Sequence, residues 1–437
     1  MKVQRPSDVN GLPFNMSDDF SGFTPSVPED GCTLCGICLS VCPTYKQTED
    51  VEQSPMGRIR MMRALDDGTT KGMALEKLQS CLGCYACEAI CPSRVRYGEM
   101  LDQALVTVRR QLSIQFITRL MLWLADKPAR IKLLTRLSAI AEYTGLRGLL
   151  RGLGLFKVLG LTRADRFFAT PSYPASKLNN RLRRPRYDQR VTMFRGCFSS
   201  VLERELQQTA ITLLNALGIE VLIPEGQACC GALHRHNGDS KTALSLAQQN
   251  IKAFNQQQTT AIVSTSSGCG ASLLEYGSWM EMEETPFKQP PMDISHYLAL
   301  VLRQRKLIFK PLSLRVAIHT PCTLNQHIGQ ANAVMELLQT IPGLELHTLS
   351  GAPACCGAGG SQILSQPEMA DALRDPIIEE VKSLKPDILL SSNLGCAMHL
   401  KAGLEQAGLQ IEIKHPVQLL AQALVVEFIS VRPGRLR

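Results

Sequence analysis

Eight of the sixteen cysteines in this 437-residue chain stand in two short runs. Cys32, Cys35, Cys38 and Cys42 precede Pro43, and Cys81, Cys84, Cys87 and Cys91 precede Pro92. Both runs read C-x2-C-x2-C-x3-C-P. Three thiolates two residues apart can wrap one iron–sulfur cube, while the fourth points away and ligates a second cube. The spacing therefore assigns Cys32, Cys35, Cys38 and Cys91 to one [4Fe–4S] cluster, and Cys81, Cys84, Cys87 and Cys42 to another. Exchanged fourth ligands tie the runs together and set the clusters close enough to pass an electron. Structural zinc would use two CxxC pairs or a Cys/His mixture, which leaves the third cysteine and the proline without a role. Disulfides would require an oxidising compartment and a secretory leader.

The other eight cysteines fall into an internal repeat. The first copy runs from 191 to Cys197, continues through a helix over 202–217 and a strand over 220–223 to Cys229-Cys230-Gly231, and closes with a strand over 261–264 leading to Cys269. The second runs from 316 to Cys322, through a helix over 333–338 and a strand over 344–348 to Cys355-Cys356-Gly357, and closes with a strand over 387–390 leading to Cys396. Single to paired cysteine is 32 positions in one copy and 33 in the other; second paired to last cysteine is 39 and 40. Alternating strand and helix predicts a mostly parallel sheet in each copy. Its cysteines lie at strand ends or in Gly-containing loops, where such sheets gather ligands. Two lobes face to face would bring them to a common cleft. These eight cysteines, with His319 and His399 beside them, form a candidate further site for an iron–sulfur cluster or zinc; metal-free structural or redox-active thiols are the alternative. His234, His236 and His327 are candidate ligands, proton relays or plain polar loop residues.

The elements around these residues divide the chain into a polar arm over 1–30, a dicluster domain over 31–111, a basic helical segment over 112–170, a linker over 171–190, and the repeats over 191–310 and 311–437. The fold class is multidomain α+β and α/β: a small helical ferredoxin-like domain, a helical middle segment, and tandem α/β repeats. Hydrophobic content of 45% and charged content of 20% suit a globular protein with a real core. Net charge is +8, and two oxidised clusters at about −2 each would bring it to about +4. No nucleic-acid partner is expected. Residues 112–163 carry nine basic residues against Asp126 and Glu142, a net +7. This stretch is either a basic amphipathic patch for an anionic membrane or partner, or a set of helices packing inward with solvated charges. Pro128 interrupts it. No apolar leader and no run of eighteen apolar residues is present, so neither a secretory signal nor a transmembrane helix is expected, and cluster assembly on reduced thiols points to the cytoplasm.

No G-x-G-x-x-G follows a strand, and Gly357-Ala358-Gly359-Gly360 belongs to a cysteine loop. No phosphate-binding loop or nucleophile elbow appears, so neither a catalytic residue nor a flavin site is assigned to this chain. The cysteine runs, the two CCG segments, Pro55-Met56-Gly57-Arg58-Ile59, Val95-Arg96-Tyr97, His319-Thr320-Pro321-Cys322-Thr323-Leu324 and Asn393-Leu394-Gly395-Cys396 together resemble the iron–sulfur subunits of flavin-linked, membrane-associated 2-hydroxyacid dehydrogenases, those of glycolate oxidase (glycolate dehydrogenase) in particular. The resemblance spans about 31–420. It implies a hetero-oligomer with FAD-containing subunits that oxidise glycolate, electron delivery to membrane quinone, and a peripheral seat on the inner face of the plasma membrane. The cysteine architecture is shared with the anaerobic glycerol-3-phosphate dehydrogenase small subunit and with heterodisulfide reductase components, which supply the alternative functions. In the latter the last cysteine of a repeat opens a CxxC pair; here Cys269 is followed by Gly270-Ala271-Ser272, and Cys396 by Ala397-Met398-His399.

Overall fold

The computed structural model describes residues 31–66, 73–155, 163, 187–282, 284–305, 307–349 and 355–425. The expected arm over 1–30 and most of the expected linker lie outside the described residues.

The N-terminal domain is helical. Pro43 and Pro55 each open a helix, Pro43–Thr48 and Pro55–Asp66, at the position where a missing N–H is no loss. Helices Met73–Gln79 and Tyr97–Gln111 pack on the second of these and bury Ile59, Met62, Leu75, Leu78, Leu105 and Val108. Cys32, Cys38, Cys81 and Cys91 lean on this core, so apolar packing fixes both cysteine runs. Gly57 is demanded by close approach: a Cβ there would collide with the Val51 carbonyl.

Three helices follow, Phe116–Asp126, Pro128–Tyr143 and Leu146–Gly152. Pro128 starts the second of them, as its missing donor requires. Leu122, Leu124, Ala125 and Ile131 are buried, the last three in a core shared with Phe194 and Phe254 of the first repeat. The other face is open: Phe116, Trp123, Leu133, Ile140, Leu149 and Leu153 are all at least half exposed. The segment thus packs inward on one side and presents apolar and basic residues on the other.

The repeats are two parallel sheets. Strands β1 (Gln189–Phe194), β2 (Ile219–Leu222), β3 (Ile262–Ser264) and β4 (Pro291–Asp293) form the first, in the order β2-β1-β3-β4. After a short β5 (Ile308–Phe309), strands β6 (Leu314–Ile318), β7 (Leu344–Thr348), β8 (Ile388–Leu390) and β9 (Glu412–Lys414) repeat it as β7-β6-β8-β9. Strand β10 (Leu424–Val425) pairs antiparallel with β5. The cysteine-bearing strands β1 and β6 are central in their sheets. Ser264 pairs with Phe194, and Leu390 with Ile318, so both closing strands deliver their cysteines to the same sheet edge. The fourth strands, β4 and β9, are only three residues each and carry no periodicity that a sequence could show. Helices Arg204–Ala216, Ile294–Gln304, Ala331–Gln339 and Pro416–Ala423 pack on one another and merge the two lobes into one core. The helix expected over 202–217 is two pieces, Ser199–Leu202 and Arg204–Ala216, with Glu203 at the break.

Candidate metal centres

In the N-terminal domain the thiols gather around two small cavities. Cys32, Cys35, Cys38 and Cys91 line one, with Cys87 on its far side towards the other run. Cys42, Cys81, Cys84 and Cys87 line the second. The fourth cysteine of each run therefore lines a cavity with the first three of the other. All sixteen cysteines are free thiols. Burial pushes the Cys38 thiol up to about 11 and raises Cys84 and Cys87 further, with neighbouring cysteines adding to the rise. Such thiols need a nearby cation to ionise, and convergent sulfur donors of this kind suit iron.

Both motif segments outside the cysteine runs line the second cavity. The Arg58 side chain is 1% exposed. Its guanidinium donates to the Lys77 carbonyl at 2.8 Å, to Gln53 Oε1 at 2.8 Å and to Ser80 Oγ at 2.9 Å. Burial is the largest single effect on it and disfavours the charge, but Tyr97, Cys81 and Cys42 together outweigh burial and hold it more firmly protonated than usual. Tyr97 is buried beside Cys81. A fixed positive charge at a site built to carry cluster charge is a role that the spacing of the cysteines gave no hint of; among the three arginines of this helix, Arg58, Arg60 and Arg63, nothing in the sequence marks Arg58 as the buried one.

All eight repeat cysteines line one cavity of about 540 Å³, and Cys81 of the second run lines it too. Cys269 and Cys396 sit in the first turns of helices Ser267–Trp279 and Leu394–Gln406 rather than in loops. The two helix starts lock together: the Ser267 N–H donates to the Ser392 carbonyl at 3.0 Å, and Asn393 Nδ2 to Ser267 Oγ at 3.3 Å. The paired-cysteine loop of the second copy turns at Gly357, where φ is +77° and a Cβ would enter the Ala370 carbonyl. In each copy the second cysteine of the pair is the one held below the usual thiol range, Cys230 by the facing Cys229 and Cys269 thiols and Cys356 by Cys396.

One difference between the copies bears on ligation. His319, Cys356 and Cys396 place their ligand atoms within 4.8 Å of one another. His319 Nδ1 lies 3.1 Å from Ser391 Oγ, its Nε2 has no hydrogen-bond partner among the described residues, and burial lowers its pKa to about 4, so the ring is neutral. A neutral, oriented imidazole with one unused nitrogen beside two thiols fits a metal ligand. Phe194 stands at the matching place in the first copy. His399 is not part of this wall: its Nε2 bonds the Ala370 carbonyl at 2.9 Å, which braces the Gly357 turn. His234 lies between Asp126 and Asp239, at 2.9 and 3.3 Å, and His236 Nδ1 is 3.3 Å from Asp102. His327 Nε2 is 3.3 Å from Glu275.

The dicluster domain is seated on both repeats. Gln362 Nε2 donates to the Gln79 carbonyl, and Arg235 Nε to Asp102 at 2.9 Å. Cys84 is within electrostatic reach of Cys355, whose proximity is second to burial in raising it.

Two helical cysteine cavities joined to a thiol-lined α/β pair define an iron–sulfur protein with an electron-transfer role. Residues 30–95 match the 4Fe-4S dicluster domain, and 191–274 and 316–401 each match the cysteine-rich domain. The chain is 32% identical over 417 residues to the probable glycolate oxidase iron-sulfur subunit of Bacillus subtilis, covering 90% of this chain and 93% of that one. It is 30% identical over 411 residues to the glycolate oxidase iron-sulfur subunit of Escherichia coli, covering 91% and 94%. A fumarate reductase (CoM/CoB) subunit from Methanothermobacter marburgensis is 24% identical over 434 residues, covering 95% and 78%. The chain belongs to the glycolate oxidase iron–sulfur subunit family. No described helix is long and apolar enough to cross a membrane.

Proposed function

We propose that this chain takes electrons from an FAD-containing partner that oxidises glycolate to glyoxylate, with D-lactate a second candidate substrate, and hands them to a membrane quinone. Cys32, Cys35, Cys38 and Cys91 hold one [4Fe–4S] cluster, and Cys81, Cys84, Cys87 and Cys42 the other. When bound, such clusters supply reversible one-electron chemistry. The observation that carries the reading is the wall that Cys81 shares with the eight repeat cysteines, which makes the second run and the repeats one continuous thiol-lined path. Arg58 balances negative charge at its entrance, and Cys84 lies within electrostatic reach of Cys355. His319, Cys356 and Cys396, with Cys322 and Cys355 in the same wall, suit a further iron–sulfur cluster or a zinc ion in the second repeat. The apolar and basic outer face of helices 116–152 supports a peripheral seat on the inner face of the plasma membrane.

The test is reconstitution. The purified chain alone should oxidise no glycolate, and adding the flavoprotein partner should restore glycolate-dependent quinone reduction. Glycolate oxidation by this chain alone contradicts the proposal. Iron counting separates the cofactor options: about eight irons mean two clusters only, and about twelve mean that the repeats hold one as well.

A further inference from the structure

We infer that the 540 Å³ cavity receives the ring of a lipid-soluble quinone, which enters from the bilayer beside Leu137. This rests on the electron-transfer reading above and says where in the chain its last step takes place. The cavity has two kinds of wall. One is the set of repeat cysteines with Cys81. Part of the rest is supplied by the middle helices, through Ile117, Leu120, Met121, Leu124, Leu134 and Leu137, and part by the dicluster domain and the repeats. Its volume falls within the roughly 300–1,000 Å³ of small-molecule sites. The aliphatic part of the wall suits a hydrocarbon-bearing ring, while Arg147 and His236 on the same lining offer it polar groups.

Leu137 decides where the cavity opens. It lines the cavity and is also 54% exposed, so it stands at the mouth. Around the mouth the outer face carries Phe116 at 71% exposure, Ile140 at 58% and Leu149 at 59%. Arg119, Lys127, Lys132, Arg136 and Arg151 are exposed on the same helices. Apolar side chains ringed by basic ones match an anionic leaflet: the cations meet phosphates and the leucines meet acyl chains. The mouth is therefore set at the membrane surface, where a quinone is dissolved.

The step balances. The 2-hydroxy acid on the partner loses two electrons and two protons and becomes the 2-oxo acid. The quinone gains two electrons, delivered singly, and two protons from water; both C=O groups become C–OH.

The test uses the complex with its flavoprotein partner and a photoreactive azidoquinone. Label is expected on peptides from 116–141, and excess short-chain quinone should remove it. Leu120→Trp, which fills the cavity, should cut labelling at least tenfold and raise the quinone KM about tenfold with the glycolate KM unchanged. Leu137→Glu repeats the test at an exposed position where folding is not at stake. Label on the partner, or on residues of this chain that do not line the cavity, with quinol still formed, overturns the placement alone. Unchanged labelling in both variants overturns it as well. A complex that oxidises glycolate yet forms no quinol overturns the electron-transfer reading and this placement with it.

Discussion

The Tyr85 hydroxyl donates a 2.8 Å hydrogen bond to Glu275 Oε1, joining the second cysteine run to the first repeat across 190 positions of sequence. His327 stacks edge-on against Tyr85 at 4.4 Å between ring centroids and approaches the same carboxylate. The dicluster domain is thus held to the repeats by a partly buried polar cluster.

That cluster carries a pH signature. Burial raises the Glu275 carboxyl to about 7, with Asp102 and Glu88 adding to the rise and His236 and Tyr85 opposing it. His327 is neutral, lowered to about 4 mainly by burial, and His236 is held up near 9 by Asp102. A raised carboxyl means that the folded chain keeps a proton which the unfolded chain releases. Its contribution to stability is complete below the ordinary value of 4.5 and is lost as pH rises to about 7. Glu275→Gln should remove that slope. Anaerobic thermal unfolding between pH 5 and 7.5 checks it: the midpoint of the parent should decline more steeply than that of the variant.

Arg58 is expected to set the potential of one cluster. Arg58→Met removes a buried positive charge beside Cys42 and Cys81 and should lower that potential by on the order of 50–100 mV. Arg58→Lys keeps the charge and should recover most of the loss, whereas a purely structural role would leave both variants alike. Redox titration followed by electron paramagnetic resonance separates the cases.

The exchanged ligands make a crossed prediction. Cys91→Ser should weaken the cluster held by Cys32, Cys35 and Cys38, not the one on its own run. Adding Cys32→Ser should then cost little further iron, while adding Cys84→Ser should remove about four more atoms. The reverse pattern means uncrossed ligation.

In the second repeat, Gly357→Ala should destabilise by at least about 2 kcal/mol, since φ is +77° and the new methyl meets the Ala370 carbonyl. His319→Ala should leave folding nearly intact and lower the metal content of the repeats; unchanged metal excludes His319 as a ligand.

Much of this was legible because cysteine spacing is a covalent constraint. The spacing from Cys32 to Cys91 predicts two sites with crossed ligands, and the repeat from Cys197 to Cys396 predicts two equivalent lobes with their cysteines at one edge. What could not be read is long-range. Nothing in the sequence brings Cys81 into the wall of the repeat cavity, or Cys84 near Cys355, because those approaches depend on how the finished domains dock. Arg58 was visible as a motif residue, but its charge acquires meaning only from burial beside Cys42 and Cys81. His319 and His399 looked alike beside their cysteines; backbone geometry turns one to the thiols and the other to the Ala370 carbonyl.

The most direct measurement is electron paramagnetic resonance of the anaerobic complex, frozen after glycolate is added and before quinone is supplied. Signals of reduced [4Fe–4S] clusters should appear in this chain only when the flavoprotein partner is present, and should vanish when quinone is then added. Clusters that stay oxidised while the complex turns over glycolate would contradict it.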